Sequence, residues 1–186
     1  MKLVAIGGSA GSLDALRALL PSLPKHVAAV IVIHLPPHQP SLLSEVLSGY
    51  CRLPVVEAVD KLALAPGVVV VAPPDYHLLI EREWSVALSR DPAEHFSRPA
   101  IDATFHSAAR ALAANVVGVL LTGANEDGAA GLCAIQARGG MTAVQDPKTA
   151  LAPEMPRAAL ARCTPDLVAD PARIGAWLAT VIGTPE

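Results

Sequence analysis

At 186 residues the chain is the size of one domain and long enough to bury a real core, and 52% hydrophobic against 17% charged residues argues against disorder. Fourteen Lys+Arg against 17 Asp+Glu leave a net charge of −3, so the basic excess that phosphate-backbone binding requires is missing and nucleic acid is not expected as a partner. Aromatics are only 3% of the residues, so Ala, Val and Leu must build the core, and no apolar run approaches the ~18 residues of a membrane span, so no direct membrane insertion is expected.

From the N-terminus, LVAI (3–6) is short, apolar and bounded by glycines, as a strand buried on both faces would be. A glycine-rich turn leads into a helix over SLDALRALL (12–20), with Ser12 placed as N-cap and Asp14 in the first turn. VAAVIVI (27–33) is the second strand, SLLSEVLSGY (41–50) a helix after a proline, and VVVVA (68–72) the third strand. HLLIERE and WSVALSR (77–90) are adjacent strand-like stretches with no helix between them, which predicts an antiparallel hairpin appended to the parallel sheet. Then follow a helix over IDATFHSAARALAA (101–114), a strand over VVGVLL (116–121), a helix within DGAAGLCAIQARGG (127–140) that stops at glycines, and a last helix near 171–182. The alternation predicts an α/β fold: a doubly wound, mostly parallel sheet with helices on both faces, in one domain over 1–186.

Cys51, Cys133 and Cys163 are far apart, odd in number and without C-x-x-C spacing, so neither a disulfide framework nor a zinc site is expected, and a reducing cytosol fits. The six histidines and three cysteines form no cluster with metal-ligand spacing. Neither metal nor cofactor is anticipated.

In open parallel sheets the chemistry sits beyond the carboxyl ends of the strands. Ser9 follows the first strand, His34 the second, Asp75 and His77 the third, and Asn125, Glu126 and Asp127 the fourth. Gly7, Ser9 and Gly11 also spell G-x-S-x-G, the turn that presents a nucleophile. A dinucleotide reading of the same turn fails, because G-x-G-x-x-G breaks in both frames and the second strand ends in His34 instead of an acid. Serine, histidine and carboxylate are the minimum set for acyl transfer, with the serine attacking, the histidine moving its proton and the acid orienting the imidazole. The chain order Ser9, His34, Asp127 departs from the Ser, acid, His order of the α/β-hydrolases.

Six stretches, VAIGGSAGSLDAL, VIVIHLPPHQPSLLSEVLS, APPDYHL, RPAIDATFHSAA, LLTGANEDGAAG and GGMTAVQDPKTALAPEMPRAAL, resemble in order the catalytic (CheB-type) domain of the chemotaxis protein-glutamate methylesterases, over about residues 4–163. The resemblance implies a cytoplasmic serine hydrolase that removes γ-methyl esters from glutamates of the chemoreceptor cytoplasmic domain and releases methanol. It also implies, as in several members, deamidation of receptor glutamines by the same acyl transfer. By motif it assigns Ser9 as nucleophile, His34 as base and Asp127 as orienting acid, and implies no cofactor.

The helix that begins near Ser12 would favour an oxyanion at Ser9, with backbone N–H groups of Ala10 and of Gly123 to Ala124 as donors. His77 is read as a substrate-loop or second-layer residue beside an equally open structural role; His26, His38, His95 and His106 take surface or structural roles. Glu126 and Asp102 compete with Asp127 as the acid, although Asp102 also reads as an N-terminal helix residue paired with Arg98. Ala10 stands where the family often has threonine, and TGANEDG lacks a frequent methionine. Family members usually carry a receiver domain before the esterase, whereas this chain starts at the first strand, so a stand-alone enzyme indifferent to phosphodonors is expected. Two rivals remain: a hydrolase of another ester or amide, and a non-catalytic signalling adaptor.

Overall fold

The computed structural model describes residues 1–36 and 39–183. Nine strands occur among them: β1 (Leu3–Gly8), β2 (Ala28–Ile33), β3 (Val55–Glu57), β4 (Val68–Val71), β5 (His77–Ile80), β6 (Val86–Ser89), β7 (Val116–Leu120), β8 (Met141–Gln145) and β9 (Leu167–Ala169). Six α-helices join them: α1 (Ser12–Leu19), α2 (Leu43–Ser48), α3 (Ile101–Leu112), α4 (Ala129–Ala137), α5 (Glu154–Arg162) and α6 (Pro171–Ile182). Seven strands form one sheet in the order β3-β4-β2-β1-β7-β8-β9, with every pairing parallel.

The β-branched runs form this sheet because both of its faces are covered. Val4, Ile6, Ile31 and Val119 pack to one side with Leu16 and Leu19 of α1 and Ile174 and Leu178 of α6. Leu3, Ala5, Val30 and Leu120 pack to the other with Phe105 of α3 and Leu132 and Ile135 of α4. Each such side chain contributes about 1.5–3 kcal/mol by leaving water, and a strand apolar on both faces has no stable place except between two helical layers.

Two expectations about local structure need correction. The expected antiparallel hairpin is present as β5–β6, but as a two-stranded sheet of its own and not as an extension of the parallel one. Its outer backbone is satisfied by α3 side chains: Thr104 Oγ1 donates to the Leu78 carbonyl (2.6 Å), and the Ile80 N–H donates to Ser107 Oγ (2.9 Å). At the start of α1 the N-cap is Gly11 (φ 80°), a left-handed conformation that favours glycine. Ser12 is instead the first helical residue, is buried, and donates its hydroxyl to the Ser9 carbonyl (2.6 Å).

The cysteine expectation is also overturned. Cys133 of α4 and Cys163, just after α5, form a disulfide across 30 residues, with Cα atoms 5.7 Å apart. Sequence spacing was blind to it because the pair is made by two helices lying side by side. Closing a loop of that length stabilises by about 2–4 kcal/mol in the chain-entropy account. Oxidised protein treated with reductant should lose about that much in urea unfolding, and Cys163→Ser should be insensitive to reductant; equal curves for the oxidised and reduced protein would mean that the bond does not form in solution. Cys51 is a free thiol, raised above its usual range by burial, against a smaller opposing effect of the Leu53 backbone.

Candidate active site

The sheet order reverses at β1, which lies between β2 and β7, so the crevice beyond its carboxyl end is where such folds place their ligands. Register fixes what meets there. Gly8 pairs with Ile33, so Ser9 and His34 leave neighbouring strands side by side, about 4.8 Å apart by strand spacing. On the other side the Ser9 N–H donates to the Thr122 carbonyl (2.9 Å), continuing the β1–β7 pairing into the loop that holds Asp127. Ser9, Ala10, Gly11, His34 and Leu35 line a shallow depression of about 520 Å³.

His34 Nε2 lies 2.7 Å from Asp127 Oδ2. The histidine side chain is 13% exposed and the carboxylate not at all. Asp127 is held by the start of α3: the Ile101 N–H donates to Oδ2 (2.7 Å) and the Asp102 N–H to Oδ1 (2.9 Å). Burial alone would raise its pKa, but the His34 bond and these two backbone donors overrule it and hold the carboxyl below its usual range. Gly7 matters here through space: a side chain on it would collide with Ile101, the residue that leads α3 onto Asp127.

Asp102, the rival acid, does other work. Its Oδ1 accepts the Gly131 N–H (2.6 Å) and its Oδ2 pairs with His95 Nε2 (3.1 Å), so the expected partner Arg98 is not the one it uses. Arg98 instead donates to the Arg90 and Asp91 carbonyls. Burial raises Asp102, and the nearby charge of Asp127 adds to the rise although Gly131 opposes it. The two carboxyls are thus pushed in opposite directions, Asp127 down and Asp102 up. Glu126, the other rival, is out on the surface in an ion pair with Arg162 (2.6 Å).

Ligating atoms of His95, Asp102 and Asp127 lie within 4.8 Å of one another, a grouping that sequence spacing did not suggest. Their oxygens already accept three backbone N–H groups, from Ile101, Asp102 and Gly131. The donor set therefore reads as a hydrogen-bonded network and not as a cation cage.

Of the expected oxyanion donors, Gly123 is excluded because its N–H is spent on the Ala152 carbonyl (3.0 Å). The N–H groups of Ala10 and Ala124 have no acceptor among the described residues. His77 is no substrate contact either: it is 1% exposed, its Nδ1 accepts the Ala100 N–H (3.2 Å) and its Nε2 bonds the Pro92 carbonyl (3.0 Å). It props the chain that enters α3. His38 lies outside the described residues, and His26 and His106 lie outside the crevice.

Sequence reasoning missed Thr122. Its buried hydroxyl donates to the Ala10 carbonyl (2.9 Å) and accepts the Ala152 N–H (2.9 Å), tying the turn after β1 to two other loops, while Gln145 Oε1 accepts its N–H (2.9 Å). Residue type gave no signal for this, since a lone threonine after a strand has many uses.

The CheB methylesterase family profile matches residues 4–178. The chain belongs to that family. The crystal structure of the Thermotoga maritima CheB methylesterase catalytic domain superposes with a TM-score of 0.91 at 31% identity, covering 97% of this chain and 98% of that one. A relative in Leptospira interrogans, provisionally named a protein-glutamate methylesterase/protein-glutamine glutaminase, is 40% identical over 167 residues, covering 89% of this chain and 86% of the relative. Protein-glutamate methylesterase/protein-glutamine glutaminase 2 of Pseudomonas aeruginosa is 39% identical over 163 residues, and there the match spans about half of the relative, 47%.

Proposed function

We propose that this chain is a protein-glutamate methylesterase, with Ser9 as nucleophile, His34 as base and Asp127 as orienting acid. The observation that carries the reading is the His34–Asp127 bond at the mouth of the crevice beside Ser9. Because Nε2 faces an ionised carboxylate, the ring proton sits there and Nδ1 keeps a lone pair for the Ser9 hydroxyl. The serine oxygen attacks the ester carbonyl as its proton passes to Nδ1. The tetrahedral oxyanion is met by the Ala10 and Ala124 N–H groups in the field of the α1 N-terminus. His34 returns the proton to the departing methoxide, methanol leaves, and water repeats the steps on the acyl-enzyme to restore the glutamate.

Glutamine deamidation uses the same steps with ammonia as the leaving group. The substrate is the methylated cytoplasmic part of a chemoreceptor and the site of action is the cytoplasm; among the described residues no helix is long and apolar enough to cross a membrane. The 186 residues act as one catalytic domain.

The test is incubation of the purified chain with methyl-labelled receptor membranes from its own source, with volatile methanol as readout. Time-dependent methanol release supports the reading. Release from a small ester but not from receptor would point to the rival hydrolase, and release from neither to the adaptor.

A further inference from the structure

Phe96 is one of two phenylalanines in the chain, and the two have opposite fates. Phe105 is wholly buried in α3, whereas Phe96 is 106% exposed, as open as in an isolated peptide. Its backbone is also unfavourable: His95 (φ 49°) and Phe96 (φ 62°) both lie in the left-handed region, which bulky residues rarely enter. They form the corner of a tight hairpin turn in which Glu94 and Ser97 exchange both backbone bonds (3.1 and 2.8 Å). Such a corner normally takes Asn-Gly. Packing does not explain an aromatic there, because this one packs against nothing.

The active site is what holds the turn. His95 Nε2 pairs with Asp102 Oδ2 (3.1 Å), and Asn125 Nδ2 approaches the His95 carbonyl (3.5 Å). Asp102 and Asn125 each also bond Asp127, the first through its N–H and the second by accepting the Asp127 N–H (3.1 Å). Phe96 is therefore lifted into water by a turn anchored on the acid's own neighbours. At the other end of the site Leu151, 78% exposed, lies over Gly11, its Cβ 2.6 Å from where a Gly11 Cβ would stand, two residues from Ser9. These two are the most exposed large hydrophobic side chains among the described residues, one on the turn that His95 bonds to Asp102 and the other over Gly11.

We infer that Phe96 and Leu151 are the substrate-reading residues, which grip apolar side chains flanking the esterified glutamate on the protein substrate. This rests on the methylesterase reading. A glutamyl ester carried on a protein arrives at Ser9 with the side chains that flank it, and such flanking side chains are what an enzyme surface beside the reacting group can read. The ester itself is neutral and the net charge of −3 provides little steering, which leaves apolar contact as the available grip.

The test compares kcat and KM of wild type, Phe96→Ala, Leu151→Ala and the double variant on a methylated receptor fragment and on the methyl ester of an N-acetylated glutamate amide. Thermal unfolding of each is recorded, and binding of the same fragment is measured in a Ser9→Ala background. Each substitution should weaken fragment binding and raise KM for the fragment by about tenfold or more, as truncation of an aromatic or aliphatic anchor does. The loss on the small ester should be at least several-fold smaller, and Phe96→Leu should recover part of the fragment affinity. Equal losses on both substrates, or unchanged binding of the fragment, would overturn the inference while leaving the enzyme assignment intact. Wild type inactive on both substrates would remove the assignment and the inference together.

Discussion

Ser9→Ala should lower methanol release by at least a thousandfold while leaving the unfolding curve where it was. Removing the nucleophile of a triad abolishes the covalent route, and what survives comes from donors and positioning alone. The expected indifference of stability has its own source. Ser9 Oγ has no hydrogen-bond partner among the described residues, and the turn is held by the backbone, through Ser9 N–H to Thr122 and Ser12 to the Ser9 carbonyl. A half-buried hydroxyl with no bond to lose should change stability by no more than about 0.5 kcal/mol. Substrate affinity should also persist, because the grip on a protein substrate lies elsewhere. Activity within about tenfold of wild type would remove Ser9 from the chemistry.

How far this site could be read from the sequence depended on whether each residue's role followed from chain direction or from packing. Ser9 and His34 were readable because each follows an apolar run, Ser9 after two glycines and His34 directly, and parallel pairing carries such residues to the same edge. The supports of Asp127 were not. The Ile101 and Asp102 N–H groups belong to a helix that starts 26 and 25 residues earlier, and nothing in RPAID says which carboxylate its free N–H groups will hold. Asp102 looked like a rival acid for the same reason: both carboxylates come to the α3 N-terminus, and only burial and bonding separate their roles. Gly123 failed as a donor because Ala152, 29 positions later, folds back to take its N–H.

In the fold, the long runs were read nearly to the residue, as with Ala28–Ile33 against 27–33. The unread pieces β3 and β9 are three residues each, too short for periodicity to register. β8 starts directly after Gly139 and Gly140, whose presence marked only the end of the preceding helix. The disulfide belongs to the same class of misses, since it depends on α4 and α5 being neighbours in space.

Asp127→Asn should cost nearly as much activity as the loss of the nucleophile, through the imidazole's tautomer. The wild-type carboxylate accepts three N–H donors, from His34, Ile101 and Asp102, and donates nothing. An amide has one acceptor oxygen. If that oxygen serves Asp102, the NH2 group takes the place of Oδ2: it donates to His34 Nε2, which forces the ring proton onto Nδ1 and removes the lone pair meant for Ser9, and it leaves the Ile101 N–H without its acceptor. If the amide turns over, its NH2 opposes the Asp102 N–H instead, so in either orientation the start of α3 loses one of its two bonds to this side chain. The first arrangement should lower kcat by about 10³–10⁴-fold with KM little changed, as a wrong tautomer does in a serine triad.

Acid should then separate the two proteins by stability. Asp127 has a folded pKa below its unfolded value of about 3.9, so its contribution is fully present above that value and is lost as pH falls through the folded one. Urea unfolding should show wild type more stable than Asp127→Asn at pH 7, with the gap closing below about pH 4 as the wild-type carboxylate takes up its proton. Asp102, raised by burial, titrates in both proteins, and without the Asp127 charge beside it its rise should be smaller in the variant. A variant with near-wild-type kcat, or a stability gap that does not narrow in acid, would mean that Asp127 is not the ionised residue that sets His34.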